Sequence, residues 1–149
     1  MEFYGVMSGQ LKPSECKDLG KAPVKRVQHE ATEQIELFHW ARLSEGKHPE
    51  LVTMFAVPNG GTRRDAVEGA RLKAAGVRAG QPDLCLPAPS KDGRYNCLFI
   101  ELKRRDGGTV SKAQEDRMAL LNRFGSYAVV CHGWEAAAEE IEGYLGGRR

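Results

Sequence analysis

Two short apolar runs, LCL and CLFI, lie close together in the stretch GQPDLCLPAPSKDGRYNCLFIELK, residues 80–103. The segment between them carries two prolines and a glycine, which stop a helix and favour a turn. Short apolar runs bounded by such residues read as strands. Their simplest connection is a hairpin-like return. That return constrains the rest of the chain, because each run has one carboxylate beside it: Asp83 before the first, Glu101 after the second. A chain that reverses sets the start of one strand beside the end of the other. Asp83 and Glu101 then meet at one end of a sheet, and the 17 residues between them leave room for one return.

The flanking sequence supplies the layers around that hairpin. Residues 28–43 predict a helix: Ile35, Leu37, Phe38, Ala41 and Arg42 in EQIELFHWARL fit an apolar face, Thr32, Ile35, Phe38 and Arg42 step round at helical spacing, and Gly46 and Pro49 end the pattern. LVTMFAV, 51–57, is β-branched and aromatic and predicts a buried strand. Residues 62–75 predict a second helix, capped by Thr62 with Asp65 three positions on and closed by Gly76. Residues 111–124 predict a third, N-capped by Ser111, with Met118, Leu120 and Leu121 as its apolar side and Gly125 as its end. SYAVVCH reads as a strand. GWEAAAEEIEGYL reads as a last helix with Trp134, Ala138, Ile141 and Leu145 on one face. Helix, strand, helix, strand, strand, helix, strand, helix is the order of an α/β domain with a mixed, mostly buried sheet and helices on both faces.

Bulk composition agrees. The 149 residues fit one domain, and 41% apolar with 28% charged residues is a globular balance. Residues 1–26 show no periodicity and hold Pro13 and Pro23; they read as an arm or tail ahead of a domain over 27–149. No run approaches the ~18 apolar residues of a membrane span. The N-terminus lacks the basic start and apolar block of a signal peptide, so the expectation is an intracellular, cytoplasmic protein with no membrane partner. Cys16, Cys85, Cys97 and Cys131 form no CxxC pair, and three of them lie in apolar runs, as small buried hydrophobes do. His29, His39, His48 and His132 have no metal-ligand spacing and read as structural or surface residues.

Two carboxylates held close repel each other, and a divalent cation removes that penalty. Hard oxygen ligands suit Mg²⁺ or Mn²⁺. Side chains alternate along a strand, so Lys103, two after Glu101, shares its face. Its ammonium can orient or deprotonate a water, or meet a phosphate oxygen. Metal and cation together are the parts of phosphodiester hydrolysis. The net charge is only +2, so any nucleic-acid signal has to be local. Residues 62–78 hold five basic residues against two acidic ones. PNGGTRR offers Asn59 and Gly60 for close backbone approach, then Arg63 and Arg64 at a helix start. Arg104 and Arg105 follow the active strand, and Lys112 opens the next helix. These are the candidate DNA-binding residues, and nothing among them is a base-reading motif. There is no GxGxxG, P-loop or nucleophile elbow, and no cofactor beyond the metal is called for.

PD followed by ELK resembles the PD-(D/E)XK nuclease motif. GVRAGQPDLCLP with LFIELKRRDGGTVSKAQ is similar to the VRR-NUC branch, the virus-type replication-repair nuclease domain, and with ATEQIELFHW and VPNGGTR the resemblance spans most of the chain beyond the arm. It implies a restriction-endonuclease-like mixed sheet flanked by helices. It also implies that Asp83, Glu101 and the Leu102 carbonyl bind the metal, that Lys103 is the catalytic lysine, and that Gln114 positions the water or phosphate. An acidic residue on the first helix usually completes such sites; Glu30 is preferred here, with Glu33 as the alternative. Stand-alone domains of this kind resemble phage or bacterial homodimers that cut branched DNA such as Holliday junctions. Flap cleavage, or DNA binding without catalysis, are the competing expectations.

Overall fold

A computed structural model describes residues 25–58 and 66–147. The hairpin read from the sequence forms between β2 (Leu84–Leu86) and β3 (Leu98–Lys103), which pair antiparallel as Leu84 with Ile100, Cys85 with Phe99 and Leu86 with Leu98. A two-residue strand β1 (Phe55–Ala56) pairs antiparallel on the outer side of β2. β4 (Tyr127–His132) runs parallel to β3 and completes a mixed sheet of order β1-β2-β3-β4. The crossover from β3 to β4 is α3 (Lys112–Arg123), as a parallel connection requires.

Alternation along β3 divides the sheet into two unlike faces. Leu98, Ile100 and Leu102 point into the main core with Leu84, Leu86 and Cys131. That core is closed by α1 (Lys25–Ser44) through Leu37 and Ala41, and by α4 (Trp134–Gly146) through Ala137, Ile141 and Tyr144. Phe99, Glu101 and Lys103 point the other way, toward α3. Helices therefore lie on both faces, and the charged groups stand on the face with the thinner cover.

Three expectations are corrected. Residues 51–57 do not form one strand. Pro49–Thr53 is a 3₁₀ turn, and only Phe55 and Ala56 are extended. The buried residues are Leu51 and Met54, three apart, which is 3₁₀ spacing and not strand alternation. The Thr53 hydroxyl also donates to the Glu50 carbonyl over 2.7 Å, holding the turn locally. In α1 the core stripe is Leu37 and Ala41, whereas Ile35 is 64% exposed. EQIELFHWARL has apolar residues on most sides, and contact with α4 selects one stripe. On α3, Met118 is buried but Leu120 is exposed. The second helix, α2, is described over Ala66–Ala74 and ends before Gly76 as expected; its caps at Thr62 and Asp65 lie outside the described residues. α1 starts at Lys25, within the last residues assigned to the arm. No described helix is long and apolar enough to cross a membrane.

Candidate active site

Continuing the β2–β3 register by one residue sets Asp83 opposite Glu101. Asp83 turns its carbonyl toward β1, where the Val57 N–H donates to it over 2.7 Å. The Asp83–Glu101 pair is thus of the non-hydrogen-bonded type, in which facing side chains come closest. The hairpin alone brings the two carboxylates together.

Glu101 is 1% exposed, a rare place for a carboxylate. One of its oxygens, Oε1, accepts from Lys103 Nζ at 2.5 Å and from Gln114 Nε2 at 2.5 Å. The other, Oε2, is buried and accepts no hydrogen bond among the described residues, with the Asp83 carboxyl as its neighbour. Burial pushes the Glu101 carboxyl up to about 7, Asp83 pushes it the same way, and the Lys103 ammonium draws it down. Lys103 is itself only 6% exposed. Gly108 lies along its stem at φ +130°, where an added Cβ would come 3.1 Å from Lys103 Cδ. The side chain is packed as well as paired.

Between these two residues the main chain supplies a third oxygen. Backbone groups of a strand residue face one neighbour and those of the next residue face the other. The Lys103 carbonyl accepts from the Gly133 N–H beside β4, so Leu102 faces the β2 side. Its N–H donates to Asp83 Oδ2 over 2.9 Å. Its carbonyl, by register, stands across from Pro82, which has no N–H to give. The ladder therefore leaves that oxygen without its usual donor. Glu101 Oε2, the facing Asp83 carboxylate and the Leu102 carbonyl are hard donors of the kind Mg²⁺ and Mn²⁺ take, so the residues fit such an ion. Among the described residues no group of three or more His, Cys, Asp or Glu side chains could hold a metal. A main-chain oxygen is needed to make up the set.

Gln114 reaches Glu101 because α3 begins where it does. Ser111 is the N-cap; its hydroxyl accepts from the Gln114 N–H, and Gln114 Oε1 accepts from the Ser111 N–H over 2.8 Å. This capping box fixes the amide, since its oxygen is taken and its NH₂ must face Glu101. Gly80 sets the height of the helix. It sits at φ +73°, and a Cβ there would lie 2.1 Å from the Ala113 carbonyl oxygen. Only glycine lets the approach to Asp83 press on the first turn of α3.

The remaining sequence candidates fall into three groups. Asn59, Gly60, Arg63 and Arg64 lie outside the described residues. Two of the basic residues are already engaged within the chain. Arg105 Nη2 donates to both carboxylate oxygens of Glu135, at 2.8 and 2.6 Å, and its Nε donates to Glu33 at 3.4 Å; Lys112 pairs with Asp116. Arg104 is half-buried, its Nε buried without an acceptor among the described residues. Arg117, one turn beyond Gln114 on α3, shares that state and was not singled out from the sequence. On α1, Glu33 accepts from the Trp134 N–H over 2.8 Å and so caps α4, whose N-cap, Gly133, offers no side chain. The other glutamate, Glu30, is half-buried one turn earlier on α1.

The family model for the VRR-NUC domain matches residues 24–135. Among solved structures, a VRR_NUC domain protein superposes with a TM-score of 0.68 at 28% identity, covering 79% of this chain and 88% of that one. Comparison with curated proteins gives no match. Sheet order, the paired carboxylates and the match over three quarters of the sequence agree: the chain belongs to the VRR-NUC domain family and has its nuclease-type fold.

Proposed function

We propose that this chain is a Mg²⁺- or Mn²⁺-dependent, structure-selective DNA endonuclease that hydrolyses phosphodiesters, acting as a homodimer on branched DNA such as Holliday junctions. The observation that carries the reading is Glu101: a carboxylate 1% exposed, opposite Asp83, with one oxygen held by Lys103 and Gln114 and the other buried with no donor among the described residues. A fold does not bury such a group for stability, because an unpaired buried oxygen costs free energy.

Asp83, Glu101 and the Leu102 carbonyl would hold the ion. When bound, it supplies polarisation of a phosphate oxygen and a water of lowered pKa. The chain's own residues do the rest. Lys103 presents its ammonium beside Glu101, where it orients the attacking water and meets charge developing on the phosphate. Gln114 holds the Glu101 carboxylate in place through an amide that the capping box has already oriented. Glu30 would add an acidic group from α1. Arg104, with the basic residues around PNGGTRR, would hold the DNA backbone. Paired cuts in two strands call for two such sites related by a two-fold axis, which is the reason for the dimer.

The test is cleavage of labelled four-way junction, flap, single strand and plain duplex with Mg²⁺, Mn²⁺ or EDTA, for wild type and Lys103→Ala. Symmetric paired cuts in the junction are expected, absent in EDTA and in the variant. Full activity of Lys103→Ala would refute this mechanism. Cutting confined to the flap would keep the site and overturn the junction as substrate.

A further inference from the structure

A groove of about 740 Å³ opens between α2 and the end of the sheet. Its walls are apolar, with Val57 and Pro58 on one side and Leu72 and Val77 on the other, and Lys73 and Arg78 stand among them. No described acidic residue lines it. The groove borders the candidate active site through two backbone contacts. Val57 donates its N–H to the carbonyl of Asp83, and Gly80, in the floor, presses on the peptide of Ala113 and Gln114. The groove thus borders the strand that begins at Asp83, although neither Asp83 nor Glu101 lines it. α2 itself packs against none of the described helices or strands. Among the described residues, Leu72 is half-buried and Val77 is exposed, so the groove offers apolar surface to a ligand.

We propose that this groove takes an unpaired nucleotide of the DNA substrate, its base against Val57, Pro58, Leu72 and Val77 and its phosphate by Lys73 and Arg78. Sites of ~300–1,000 Å³ enclose small ligands, and a volume in this range suits a single nucleotide rather than a stretch of duplex. Flipped or single-stranded bases are held between apolar or aromatic side chains, with cations on the backbone. The inference rests on the nuclease reading above. It deepens that reading by setting a requirement on the substrate: at least one nucleotide next to the scissile phosphate must be out of the duplex stack.

The test separates binding from cleavage. Double-stranded DNA carrying a 2-aminopurine is titrated with full-length protein in EDTA, with the analogue either unpaired at a junction or flap base, or fully paired. The unpaired probe is expected to change fluorescence on binding and the paired probe to change little. The Lys73→Ala/Arg78→Ala variant is expected to weaken the unpaired complex roughly tenfold and the paired complex much less. Leu72→Glu, which places a charge in the apolar wall, should do the same; circular dichroism checks that both variants fold. Equal losses on paired and unpaired DNA, or none on either, would overturn the groove. Hydrolysis of bis(p-nitrophenyl) phosphate by wild type with Mn²⁺ decides the catalytic reading by itself. If that fails while the probe still responds, the nuclease mechanism falls and the groove stands.

Discussion

At Glu101 a carboxylate sits where the surroundings favour its neutral form. In the unfolded chain the group releases its proton near 4.5; in the fold, burial holds it to about 7. Between these values the folded state carries the extra proton, so stability falls as pH rises through that window. The free energy of urea unfolding, measured in EDTA, is expected to drop from pH 4.5 to 7 in wild type and to drop less in Glu101→Gln. Identical slopes would show that the carboxyl does not hold its proton there. Gln114 invites a sharper change. A glutamate at that position would keep the capping box, because a carboxylate also accepts from the Ser111 N–H. Its second oxygen would face Glu101, acceptor against acceptor. Gln114→Glu is expected to keep the native fold by circular dichroism but to melt somewhat lower, while DNA cleavage falls about 10–100-fold. Undiminished cleavage would show that the amide does not work through Glu101.

Elements bring these residues together, and the contact between α3 and the approach to β2 is the tightest of them. Gly80→Ala sets a Cβ against the Ala113 carbonyl from a backbone that also disfavours it. A loss of about 1–3 kcal/mol in denaturant unfolding is expected, together with reduced cleavage as Gln114 shifts from Glu101. A stability equal to wild type would mean that the helix start yields freely. How far the elements were legible follows from the range of the forces that set them. The hairpin was legible because turn residues and apolar runs are adjacent in sequence, and its register then set Asp83 against Glu101 with no further information. Ser111 as N-cap was legible for the same reason. Residues 51–57 were misread because β-branched composition stands for a strand only on average, whereas Leu51 and Met54 point inward at 3₁₀ spacing to meet the core. The stripe of α1 that turns inward depends on α4, about a hundred residues away. The ion pairs of Arg105 were not legible, because its partners Glu33 and Glu135 lie 72 and 30 positions distant. The role of Gly80 was equally hidden, since the peptide it touches belongs to another element.

On the scale of the whole molecule, one sheet face builds the core while the opposite face, at the C-terminal end of β3, carries the proposed site. The oxygen donors come from two strands that only folding brings side by side, so an ion bound there stabilises the folded state alone. At a hundredfold excess over its dissociation constant this amounts to about 2.7 kcal/mol. Mg²⁺ or Mn²⁺ is expected to raise the melting temperature of wild type and to leave Asp83→Asn unmoved. No shift in wild type at millimolar metal would remove the oxygen-donor reading. The Leu102 carbonyl depends on an atom that is not there: opposite it, Pro82 lacks a hydrogen. A strand that wants continuous pairing would place any residue but proline at that point. Here the sheet stops pairing one hydrogen bond early, and in the proposed site that bare backbone oxygen would serve as a ligand. A comparison of side chains alone would miss this, because the proline contributes by withholding a donor.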